Sequence, residues 1–188
     1  MKKIIYFIIS AILVISCKST SVTPSSSSSK KEKEPLTEIQ SKPDILLGIQ
    51  NREALQKTPF SNWFNSNFKE YTLNTAIVQQ LVPQLKDVSI KAFMGTWCSD
   101  SKRETPALYK ILDATNFNYD NLELITVSRK KDTPDQLEKG LDIQRVPTFI
   151  FYKNGKEIGR YVEFPRETLE KDILSILTDT KYKHSYED

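Results

Sequence analysis

The stretch Val88-Ser89-Ile90-Lys91-Ala92-Phe93-Met94-Gly95-Thr96-Trp97-Cys98-Ser99-Asp100-Ser101 decides the fold. Its first seven residues are rich in β-formers and read as a strand closed by Gly95. A helix is expected from about Cys98 to Ala114, with Leu108, Ile111 and Leu112 turned inward and Pro106 as a kink. Cys98 therefore sits where a strand hands over to a helix. First-turn amides and the positive end of the helix dipole stabilise a thiolate there, the form of cysteine that attacks disulfides. Asp100 opposes that effect as a like charge, while Lys102 and Arg103 partly offset it.

Working outward, Leu73, Ile77, Leu81 and Leu85 recur at helical spacing, with Asn74 as a cap and Pro83 near the end. Downstream, Leu122 to Val127 reads as a buried strand, and Thr133-Pro134-Asp135 as the start of a short helix with proline in its first turn. Thr148 to Tyr152 and Glu157 to Val162 flank Lys153-Asn154-Gly155-Lys156, a strong hairpin signal. Leu169, Ile173, Ile176 and Leu177 mark a last amphipathic helix. The order α, β, α, β, α, β, β, α predicts an α/β domain with a mixed central sheet and helices on both faces. Ahead of it, Ile45, Leu46, Ile49 and Leu55 form a helical stripe over Asp44 to Gln56, followed by Phe60, Trp63, Phe64 and Phe68. Residues 43–70 are thus expected to be a helical extension packed on the domain.

The Trp97–Ser101 corner, Val146-Pro147-Thr148-Phe149 and Phe151-Tyr152-Lys153-Asn154-Gly155-Lys156-Glu157 occur in the order found in thioredoxins. Residues 71–180 resemble that family in a single-cysteine, CxxS form. The resemblance implies a thioredoxin-like fold with Cys98 as the attacking nucleophile and Trp97 at its flank. It further implies that Val146 offers main-chain hydrogen bonds to an extended substrate and that Pro147 is cis beside the sulfur. Only proline takes a cis bond readily, and it places no competing N–H there.

Two departures matter. Ser101 stands where disulfide-shuttling relatives have a second cysteine, so Cys98 can form a mixed disulfide but needs an outside thiol to release it. Ser101 lies on the same helix face as Cys98 and is expected to donate a hydrogen bond to the thiolate. Ala92, six residues before Cys98, replaces the buried carboxylate that many thioredoxins use to move protons at the second cysteine. The two losses are consistent with each other.

Cys17 and Cys98 are the two cysteines of the 188-residue chain, and their contexts differ too much for a mutual disulfide. With His184 the single histidine, neither a metal cluster nor a Ser-His-Asp triad can be assembled, and no cofactor is implied. The net charge of +3 falls to +1 without Lys2 and Lys3, which leaves no footprint for nucleic acid.

Lys2 and Lys3 precede an apolar run from Ile4 to Ile15 that is short for a membrane span and suits an export signal, residues 1–16. Val14-Ile15-Ser16-Cys17 resembles the bacterial lipobox, which implies lipidation of Cys17 and a domain held on a membrane of the cell envelope, outside the cytoplasm. Residues 17–42, Ser-rich and charged, form a tether that cannot bury enough surface to fold. Residues 181–188 read as a solvated polar tail. The expected partners are a disulfide-bearing or oxidised-thiol protein or a small thiol, with the chain a monomer. A second reading, a non-catalytic module that binds extended peptides or envelope proteins, remains open on sequence grounds.

Overall fold

The computed structural model describes residues 45–178 and 181–187. Export signal, Cys17 and tether lie outside the described residues.

A five-stranded mixed sheet forms the centre: β1 (Gly48–Gln50), β2 (Val88–Met94), β3 (Leu122–Thr126), β4 (Thr148–Lys153) and β5 (Lys156–Val162), in the spatial order β1-β3-β2-β4-β5. β2 pairs parallel with β3; the other pairings are antiparallel. Parallel pairing requires a crossover, which α4 (Ser99–Ala114) supplies. The β4–β5 hairpin closes through Asn154 and Gly155, both at positive φ (52° and 74°), the conformation of a tight hairpin turn.

Alternation along the strands splits the interior into two layers. On one face Ile90, Ala92, Met94, Leu124, Phe149, Phe151 and Tyr161 meet the apolar sides of α2 (Ser61–Glu70), α3 (Thr75–Gln84), α4 and α5 (Leu169–Leu177). Phe64 of α2 meets Tyr109 of α4 edge-on at 5.8 Å, so the aromatic cluster of the extension is core. Asn74 caps α3 by accepting from the Ile77 N–H, as expected. Buried Glu170 of α5 accepts from the Tyr71 hydroxyl at 2.6 Å and from the Asn74 N–H at 3.1 Å, tying α5 to the entry of α3. The opposite layer, Phe93, Ile125, Val127, Ile143, Val146 and Ile150, carries Trp97 and Cys98 at its border.

Three expectations are corrected. Residues 45–56 do not form one helix: Gly48–Gln50 is an edge strand on β3, and only Arg52–Leu55 (α1) is helical. Gly48 takes φ +82°, and Asn51 caps α1 through the Ala54 N–H. The open edge of β3 supplies the ladder partners that the apolar stripe hid. Thr133-Pro134-Asp135 opens turns rather than a helix. There the Glu138 carboxylate accepts from Thr133 N and Oγ1 while Thr133 Oγ1 accepts from Leu137 N, so side chains take the bonds a helix would need. Turns therefore cover the second face where a helix was expected. Finally, residues 181–187 are docked on the domain rather than solvated, as detailed below. Among the described residues no helix is long and apolar enough to cross a membrane.

Candidate functional site

Cys98 is the N-cap of α4, with extended backbone angles (φ −92°, ψ 130°). Its N–H donates to Gly95 O at 2.9 Å and its C=O accepts from Lys102 N at 3.0 Å, so the corner is locked on both sides of the residue. The half-buried thiol donates to Val146 O across 3.2 Å. The Val146–Pro147 bond is cis, which brings that carbonyl beside the sulfur. Pro147 O in turn accepts from Glu163 N at 2.7 Å, fixing the proline loop to the end of β5.

Trp97 builds the other side. Its Nε1–H donates to Val127 O at 3.0 Å, and Arg129 lies over its ring at 5.2 Å. The ring occupies the space a side chain at Gly95 would fill: a Cβ there would stand 2.6 Å from Trp97 Cε2. Leu46 N donates to Thr96 Oγ1 at 3.3 Å, so the lead-in to β1 also braces the loop. Trp97, Cys98, Val146 and Pro147 are thus brought together at this corner.

Ser101 is on the expected helix face, and its oxygen also serves the backbone of the corner. Fully buried, its Oγ accepts from Gly95 N at 3.1 Å, while the sulfur engages Val146. The bond satisfies the buried Gly95 N–H, which left alone would cost about 1–3 kcal/mol. Asp100 does not face the sulfur as a free charge, because Arg103 pairs with it at 2.8 Å.

Sequence reasoning missed a buried carboxylate. Glu104 on α4 is 4% exposed, and burial raises its pKa, opposed by hydrogen bonding and charge attraction from Arg103, whose Nε lies 2.6 Å away. Beside it Tyr161, wholly buried, is pushed up by burial and then by the Glu104 charge. Set within Lys102-Arg103-Glu104, the residue gave only the signal of a solvated helix face. Ala92 sits at the sheet centre between Leu124 and Phe149, with no acid beside it on the ladder. Among the described residues no group of three or more His, Cys, Asp or Glu side chains could hold a metal ion.

The thioredoxin family model matches residues 69–175, more than half of the chain. A thioredoxin-like protein of Acanthamoeba polyphaga mimivirus is 29% identical over 89 residues, covering 47% of this chain and 62% of that protein. Thioredoxin of Gallus gallus is 27% identical over 85 residues, 45% of this chain and 75% of its own length. This chain therefore spans less than two thirds of the viral relative it matches. The crystal structure of Fasciola hepatica thioredoxin superposes with a TM-score of 0.35 at 20% identity, covering 58% of this chain and 94% of that one. With strand order, reactive corner and cis-proline loop in place, the chain belongs to the thioredoxin family.

Proposed function

We propose that this protein is a monothiol thiol–disulfide exchange protein acting through Cys98, lipid-anchored through Cys17 in the cell envelope. The observation that carries the reading is Cys98 at the helix corner, its sulfur 3.2 Å from Val146 O beside cis-Pro147, with a serine three residues on. The thiol loses its proton to solvent and gives up its bond to the Val146 carbonyl. The thiolate then attacks a substrate disulfide, so that the substrate S–S bond breaks, a Cys98–S–S bond forms, and one substrate sulfur leaves as a thiolate. An external thiolate attacks the mixed disulfide, re-forms a disulfide with the captured sulfur and frees Cys98. The outside thiolate supplies the electron pair that the leaving substrate sulfur carries away, since Ser101 has no thiol to supply it.

Thioredoxins act on disulfide-bearing proteins, and the freed Val146 carbonyl is placed to receive a main-chain N–H of such a partner. The test is capture from envelope extracts by full-length protein and by Cys98→Ala, resolved without reductant. Covalent partners on the parent that vanish with Cys98→Ala, and that thiol releases, support the reading. Equal capture by both would instead identify a binding module without exchange chemistry.

A further inference from the structure

The tail beyond α5 follows the loop after β5 residue by residue. Arg166 Nη1 donates to Lys183 O at 3.1 Å, Ser185 Oγ donates to Phe164 O at 2.6 Å, and the Tyr186 hydroxyl donates to the Glu163 carboxylate. Arg145 lies 3.7 Å above the Tyr186 ring and pairs with Glu163 at 3.0 Å, while Phe164 meets the same ring edge-on at 5.6 Å. At its root the tail is pinned by Tyr182, whose hydroxyl donates to buried Asp172 at 3.0 Å. The residues it grips are those that bracket the proline loop: Arg145 directly precedes Val146, and Glu163 N holds Pro147 O. Tyr186 nevertheless keeps 42% of its surface exposed, so its ring is held fixed and presented outward.

We propose that Tyr186 is a specificity-determining residue: the docked tail walls off the Pro147 side of the site, so that Cys98 favours small or short disulfides over those of folded proteins. The inference rests on Cys98 being the exchanging thiol. A partner laid along Val146 can run past Trp97, but on the other side it meets a segment that fills the surface over residues 163–166. Selection here is steric, set against the wrong partner rather than for the right one. The chemistry is unchanged: a mixed disulfide forms on Cys98 and one substrate sulfur leaves as a thiolate.

The test compares two rates on one sulfur. In the full-length chain carrying Cys17→Ser, so that Cys98 is the single thiol, adduct formation is timed with 4,4′-dithiodipyridine and with insulin. The same pair of rates is measured for Tyr186→Ala and for a chain ending at Lys183, which keeps the Tyr182 anchor. The insulin-to-dipyridyl rate ratio should rise about tenfold in both variants, the size of a typical single-contact discrimination. A uniform loosening of the fold moves both rates together and leaves the ratio where it was. An unchanged or lower ratio, with Cys98 reactive toward the dipyridyl probe, overturns the tail's role and leaves the exchange reading intact. Absence of any adduct on the parent overturns both.

Discussion

A Cβ at position 95 would stand 2.6 Å from the Trp97 ring, with three ring atoms inside 3.0 Å. Gly95→Ala must therefore push the indole outward and strain its bond to Val127 O. The expected cost is about 1–3 kcal/mol, as for other overpacked sites, together with a shift in tryptophan emission; denaturant titration followed by fluorescence reads both. Ser101 offers a paired test. Ser101→Ala leaves the Gly95 N–H buried and unpartnered, for a loss of about 1–3 kcal/mol in the same titration. Ser101→Cys places a second thiol at the position where shuttling relatives carry one and should greatly increase dithiol-dependent insulin reduction over the parent. The corner itself was legible in the sequence because a strand, a glycine and a helix start met at one cysteine. The second use of the Ser101 oxygen was not, because spacing shows which residues share a helix face but not that the Gly95 N–H six residues upstream donates to it. Glu104 escaped for a similar reason: its neighbours in sequence are charged, and only the packing of Tyr161 against α4 takes it out of water.

Among the elements, Asp172 of α5 gathers three polar ties. Its carboxylate accepts from Arg166 N at 2.7 Å, Glu167 N at 3.4 Å and the Tyr182 hydroxyl at 3.0 Å. Asp172→Ala strands these donors and should destabilise the domain by about 2–3 kcal/mol in equilibrium unfolding. Glu104 makes the stability depend on pH in a defined sense. Burial raises its folded-state pKa above the ordinary 4.5, so between those values the folded chain binds more protons than the unfolded one. Stability from this group is therefore greatest below about pH 4.5 and declines as pH rises through the raised value. Glu104→Gln should flatten that decline when unfolding free energies are measured from pH 4 to 7. Val88–Met94 was readable from its β-formers and the Gly95 that closes it, and the hairpin around Asn154-Gly155 from its turn residues. Gly48–Gln50 was not, since three residues are too few to show a period and their pairing partner lies more than seventy positions away. The 133–141 segment failed because Thr133 and Glu138 form a local hydrogen-bond set that satisfies the backbone without a helix.

For the whole molecule, the proposed function couples a lipid on Cys17 to one exchanging sulfur, Cys98. Cys17→Ser should move the protein from the membrane to the soluble fraction on cell fractionation while leaving adduct formation at Cys98 unaltered. Ser101 in place of a second thiol makes release a bimolecular event, so exchange should stall as a stable adduct wherever reducing thiol is scarce. Intact-mass spectrometry of the Cys17→Ser chain mixed with 4,4′-dithiodipyridine in thiol-free buffer tests this most directly. A single adduct on Cys98 should form faster than on the urea-unfolded chain, persist for the length of the experiment and vanish on adding a thiol. Formation no faster than in the unfolded chain, or loss of the adduct without added thiol, would contradict it.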